Sequence, residues 1–167
     1  MNFLPSQAST FAVETDAIFL ALLGLTVFFT SLVFGLIGYF CWRYRAGRVA
    51  DRTSPPHGNR KLESGLTVVL LLLSLVVFFW AATHYVRLFD VPDDAEPIFV
   101  VGRQWMWQAY HRNGRRELNQ LHLSSKKPVR LYLVSEDVIH SFFVPAFRIK
   151  IDVLPGRYTQ VWFEPTR

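Results

Sequence analysis

The chain has 167 residues, of which 51% are hydrophobic, 16% aromatic and 19% charged, with a formal net charge of +5. That profile is too apolar for one ordinary soluble domain and points to a protein partly embedded in a membrane. The cations form no strip interleaved with aromatics that could track phosphates, which argues against nucleic acid as a partner. The single cysteine, Cys41, rules out an internal disulfide or a thiolate cluster and reads as a buried, inert packing residue.

In chain order, residues 1–16 carry no Lys or Arg but do carry Glu14 and Asp16. A signal peptide needs a basic start, so the apolar run that follows reads as a retained helix. From Ala17 to Trp42 no residue is charged, and the run exceeds the roughly 20 residues that cross a hydrocarbon core. This predicts transmembrane helix 1 over 17–42. A second run over 65–86 has only His84 as a titratable group and predicts transmembrane helix 2. Between them, in a loop over 43–64, lie Arg43, Arg45, Arg48, Arg52, Arg60 and Lys61 against Asp51 and Glu63, with a turn-forming cluster at Ser54–Asn59. Short loops rich in Lys and Arg stay cytoplasmic, so both ends of the hairpin should face outward. Trp42, Tyr44, Trp80 and Tyr85 sit near the span ends, as interfacial aromatics do. Glu63 opens the second helix, where a carboxylate meets the macrodipole favourably. At membrane depth such a group can also mark an ion path.

After Val86 the pattern changes to short alternating runs. Ile98–Val101, Leu131–Val134, Ser141–Val144 and Tyr158–Phe163 are rich in β-branched and aromatic residues. They are divided by Val91–Asp94, Arg112–Arg115 and Leu154–Arg157. Arg130–Ser135 reads as a strand with one buried face, and residues 87–167 as an all-β sandwich or barrel. The chain stops soon after the strong strand at Val161–Phe163. The unpaired sheet edge predicted there leads us to expect that the natural chain continues past Arg167.

Three segments of this domain hold chemistry-bearing residues. Gly102-Arg103-Gln104-Trp105-Met106-Trp107 places two indoles two apart in a predicted strand, which should send both rings to one face. They are either core rings and interfacial anchors or an exposed aromatic relay. Ser135-Glu136-Asp137-Val138-Ile139-His140-Ser141 contains a histidine that is either structural or a metal ligand. Copper favours imidazole and thiolate, and this domain has no cysteine. Asp152 and Arg157 flank a turn and, on spacing alone, suggest no more than a surface ion pair.

The hairpin followed by these segments in this order resembles cytochrome c oxidase subunit II, whose patterns run roughly GxQWxW, SxDVxHS and DxxPGR. The resemblance covers nearly the whole chain. It implies a membrane α + β protein: a two-helix transmembrane hairpin, then a cupredoxin-like β-barrel or sandwich, incomplete at the C-terminus, bearing a dinuclear copper A centre. His140 is then a copper ligand, and the other ligands are expected beyond residue 167. Trp105, with Trp107 behind it, is where electrons from cytochrome c enter. Glu63 lies at the mouth of a proton channel, and Asp152 and Arg157 lie against subunit I, which holds heme a and copper B. Glu136 and Asp137 are then docking carboxylates for cytochrome c, whether soluble, fused or membrane-bound. The implied role is to relay electrons towards oxygen reduction and proton pumping with subunit I and other oxidase subunits. The implied location is a bacterial inner membrane, with both termini periplasmic. The alternative is the copper-free subunit II of a quinol oxidase, in which the domain is structural.

Overall fold

A computed structural model describes residues 4–47, 49 and 58–167. The chain forms two compact units, one of residues up to Asp16 with Ala82–Arg167 and one of Ala17–Ala81. Arg48, Arg52 and most of the turn-forming cluster at Ser54–Asn59 lie outside the described residues.

The second unit holds most of two long helices, α1 (Thr10–Arg43) and α2 (Arg60–Arg87), both long and apolar enough to cross a bilayer. α2 starts at an asparagine cap. Asn59 Oδ1 accepts from the amides of Lys61 and Leu62, at 3.2 and 3.3 Å. Leu22, Leu25 and Phe29 of α1 line an apolar groove with Leu70, Leu73 and Val77 of α2. Two helices cannot enclose each other's circumference, so most of their apolar side chains stay exposed to the surrounding phase. Cys41 is among the exposed residues, which corrects the expectation of a buried packing thiol.

Both helices outrun their apolar cores. α1 starts at Thr10, and its first turns belong to the other unit, where Phe11, Ala12 and Asp16 are buried. Ser9 caps it, its Oγ accepting from the Ala12 amide and donating to the Phe147 carbonyl. Ser9 bridges to Pro165, and backbone bonds join Thr10 to Glu164 and Thr166 to Ala8. Arg148 then grips Asp16 with two hydrogen bonds, Nε to Oδ1 at 2.7 Å and Nη2 to Oδ2 at 2.9 Å. The N-terminal segment is thus stitched into the β-domain.

That domain has seven strands: β1 (Glu96–Arg103), β2 (Met106–His111), β3 (Arg116–Leu118), β4 (Val129–Ser135), β5 (His140–Val144), β6 (Ile149–Val153) and β7 (Thr159–Phe163). One sheet runs β3-β2-β1-β4-β7, with β1 and β4 parallel and the other neighbours antiparallel. β5 and β6 form a second, two-stranded sheet. Alternation explains which face is buried. Val129, Leu131, Leu133 and Ser135 of β4 point inward while Arg130, Tyr132 and Val134 stand on the other face. Ile98, Val100, Ala109 and Phe163 join the inward set and pack on Ile149 and Val153 of β6. The result is the two-layer β-sandwich expected, with unequal layers. A short 3-10 turn at Pro145–Phe147 links β5 to β6 and adds Phe147 to the core margin.

Candidate functional site

The two indoles do not share a strand or a face. β1 ends at Arg103, which pairs with Met106 at the start of β2, so Gln104 and Trp105 form a two-residue reversal. Trp105 stands at the tip with 89% of its surface exposed. Trp107 lies in β2 at the inward parity of Ala109. It packs edge-on against His140, with centroids 5.7 Å apart, and against Phe142, at 5.4 Å. The i, i+2 rule needs a continuous strand, and the hairpin breaks it between the rings. Behind Trp107 is a largely apolar cavity of about 280 Å³, lined by Val100, Ala109, Leu121, Phe142 and Phe147 among others.

Gly102 makes this packing possible. A Cβ there would lie 2.9 Å from Trp107 Cζ3 and 3.2 Å from His140 Cδ2. The missing side chain is the space in which indole and imidazole approach.

The segment after β4 closes over the hairpin. Glu136 donates its amide to the Gly102 carbonyl at 3.0 Å. Asp137 is saturated. Its Oδ2 accepts from the Gln104 amide at 2.6 Å, and its Oδ1 accepts from the Val138 amide and from His140 Nε2 at 2.6 Å. The Gln104 amide, then the His140 ring, hold the Asp137 carboxyl well below the usual carboxylate range. With Nε2–H donating to the ionised Asp137, the neutral ring keeps its lone pair on Nδ1. A carboxylate behind an imidazole is how metal-binding histidines are commonly oriented. A chain of contacts therefore runs from the exposed turn through Gln104 and Asp137 to His140.

Glu136 and Asp137 do not stand free for docking, since Glu136 is ion-paired with Arg103 and Asp137 is consumed internally. Asp152 and Arg157 are both exposed, on β6 and in the turn after it, and no ion pair joins them among the described residues. Glu63 is exposed in the first turn of α2, with its carboxylate folded back over Gly58. The local account of that carboxylate is the helix N-terminus.

One cluster escaped the sequence reading. Glu117 of β3 faces inward opposite Ala109, and its Oε1 accepts from Arg115 Nε at 2.8 Å and His122 Nδ1 at 3.2 Å. His111 Nε2 lies 3.5 Å from Oε2, too far for a good hydrogen bond, and is otherwise unpartnered. Burial opposes the charge on Glu117. The His122 amide and ring, Arg115 and His111 outweigh it and hold the carboxyl below its ordinary value. The available signal was a single acid at inward parity in a strand only three residues long.

No group of three His, Cys, Asp or Glu side chains that could hold a metal occurs among the described residues. For copper, the β-domain offers one correctly oriented imidazole and no thiol, since Cys41 is in α1. The described residues therefore fit part of a copper ligand set and do not complete one.

The family description "Cytochrome C oxidase subunit II, periplasmic domain" matches residues 114–167. The chain is 30% identical to the alternative cytochrome c oxidase subunit 2 of Bradyrhizobium diazoefficiens, over 84% of this chain and 61% of that protein. It is 26% identical to the cytochrome bo(3) ubiquinol oxidase subunit 2 of Pseudomonas putida, over 89% of this chain and 50% of that one. The chain thus spans about half to three-fifths of the length of these curated relatives. Among solved structures, the periplasmic domain of cytochrome oxidase subunit II from Bradyrhizobium japonicum is 28% identical. It covers 46% of this chain and 68% of that one, with a TM-score of 0.43. A second is a subunit II periplasmic domain captured as a mixed disulfide with a thioredoxin-like protein, 30% identical over 46% of this chain and 65% of that one, also with a TM-score of 0.43.

Proposed function

Because the chain belongs to the subunit II family of the heme–copper oxidases, we propose that it is the electron-accepting subunit of a respiratory cytochrome c oxidase. The observation that carries this reading is the Trp105–Gln104–Asp137–His140 chain of contacts, an exposed indole connected to an oriented imidazole. A reduced cytochrome c docks over Trp105 and loses one electron, which passes inward towards His140 and on to subunit I, where oxygen is reduced. The complex is an oxidoreductase that also pumps protons.

Copper A, when bound, supplies a one-electron carrier. His140 is the residue of this chain that would hold it, through the Nδ1 lone pair that its bond to Asp137 leaves free. Asp137 fixes the tautomer and rotation of the ring, Gly102 admits it beside Trp107, and Trp107 and Phe142 keep water from its apolar side. Asp152 and Arg157, exposed at the β6 end, meet subunit I, and Glu63 gathers protons at the cytoplasmic end of α2. The subunit sits in a bacterial cell membrane with both ends periplasmic.

A copper-free quinol oxidase subunit II is the second reading. It is favoured by the similarity to a ubiquinol oxidase subunit. Metal analysis of the oxidase purified with its natural full-length subunit II separates the two. The proposal expects copper beyond the complement of subunit I, lost in His140→Ala. Copper accounted for by subunit I alone would overturn it and favour the quinol reading.

A further inference from the structure

The inward face of the five-stranded sheet is accounted for by the core, but its outer face is not the polar surface that a half-buried sheet usually presents. In register, Arg116, Tyr110, Phe99, Tyr132 and Gln160 form one row across all five strands. Phe99 and Tyr132 are stacked with centroids 5.2 Å apart, and Tyr158 meets Phe99 edge-on at 6.4 Å. Phe99 is 47% exposed and Tyr158 62%. The neighbouring row adds Leu118, Gln108, Val101 and Val134.

The charges on this face have one sign. The Arg116 guanidinium lies over the Tyr110 ring at 5.4 Å and that of Arg130 over Tyr132 at 5.7 Å. Arg130 also donates to the Tyr132 hydroxyl at 3.1 Å. Among the described residues of these strands, the acids Glu96 and Glu117 stand at inward parity. Glu136, beyond the end of β4, is neutralised by Arg103. Exposed aromatics with arginine are the composition of a protein interface core, from which lysine and carboxylates are depleted.

We propose that this face docks an electron donor whose own contact surface is acidic. The inference rests on the proposed function above and adds the polarity of the partner. A second copy of the chain would set arginine against arginine. An anionic bilayer would be served equally well by lysine, yet Lys126, Lys127 and Lys150 all lie off this face. Guanidinium groups placed beside tyrosine rings carry the forked donors that recognise carboxylates. The face runs along β1 to the Arg103–Met106 pair, which adjoins the Trp105 turn. From Phe99 to Arg103 is about 13 Å along the strand, so one partner footprint covers both stripe and indole. Glu136 and Asp137, beside the Trp105 turn, are engaged by Arg103 and by the Gln104 amide rather than held free for a basic donor.

The test uses the purified holo-oxidase and two soluble c-type cytochromes of similar potential, one acidic and one basic, over a range of ionic strength. The proposal expects kcat/KM to be at least about tenfold higher for the acidic cytochrome at low salt and to fall as salt rises. Arg116→Glu and Phe99→Ala should each raise KM for the acidic cytochrome, and Arg116→Glu should flatten its salt dependence, with little change in kcat. Preference for the basic cytochrome, or indifference to both substitutions while oxidation still depends on Trp105, would overturn the docking proposal alone. Loss of binding to anionic vesicles in Arg116→Glu, with donor kinetics unchanged, would assign the face to lipid and also overturn it. If neither cytochrome is oxidised and quinol is, the functional reading itself fails.

Discussion

Gly102 and Asp137 between them set the geometry of the site. Gly102→Ala forces a methyl against Trp107 and His140, an overpacking that typically costs about 1–3 kcal/mol. We predict a lowered denaturation midpoint with altered Trp107 fluorescence, and an unchanged midpoint would show that the rings can move aside. Asp137 stabilises the turn through its ionised form, since the Gln104 amide and then His140 depress its pKa in the folded state. Its contribution is therefore complete above the ordinary carboxylate pKa of about 3.9 and is lost only as pH falls below that value. Exchange of the Gln104 amide should stay slow to well below pH 4 in the wild type and become fast at all pH values in Asp137→Asn. The three motifs were legible in the sequence as family patterns. The separation of Trp105 from Trp107 was not, because Gln104-Trp105 carries none of the Asn, Asp or Gly signals that mark a two-residue hairpin.

At the scale of elements, the strongest ties are those that attach the start of α1 to the β-domain. The Asp16–Arg148 pair joins a buried carboxylate to a largely covered guanidinium through two hydrogen bonds. Breaking such a pair leaves an uncompensated charge and typically costs about 3–5 kcal/mol. Arg148→Ala should therefore release the N-terminal segment, read as fast hydrogen exchange over residues 7–12 with the sheet still protected. Uniform protection would show that the backbone bonds alone suffice. Nothing in the sequence singled out this tie, since apolar periodicity locates the spans and is silent on where a helix begins outside them. β4 was legible because VRLYLVS alternates cleanly. β3, at three residues, carries too little pattern to be read. Its Glu117 matters nonetheless. With the folded pKa depressed, the β2–β3 hairpin keeps this stabilisation above the ordinary glutamate pKa of about 4.3 and loses it as pH falls further. Glu117→Gln should remove that acid dependence from the thermal midpoint.

For the whole molecule, a membrane hairpin carries a β-sandwich whose chemistry gathers at one end. Hydropathy found both long apolar helices, because roughly 20 uncharged residues have few other uses. The charge of the connecting loop sets the orientation we propose. Alkaline phosphatase fused after Arg167 should be active, while fluorescent protein inserted near Gly47 should fold in the cytoplasm. The reverse pattern would invert the assignment. The outer aromatic face could not be read from composition, because its members come from five strands and only the pairing register brings them together.

The central claim is that electrons enter through the exposed indole of Trp105. Its most direct test is stopped-flow oxidation of reduced cytochrome c by the purified oxidase, comparing wild type with Trp105→Ala. The account predicts a fall in kcat/KM of at least about tenfold, the loss of roughly 1.4 kcal/mol of transition-state stabilisation, with the optical spectra of the subunit I hemes unchanged. Unchanged cytochrome c oxidation in Trp105→Ala would contradict it.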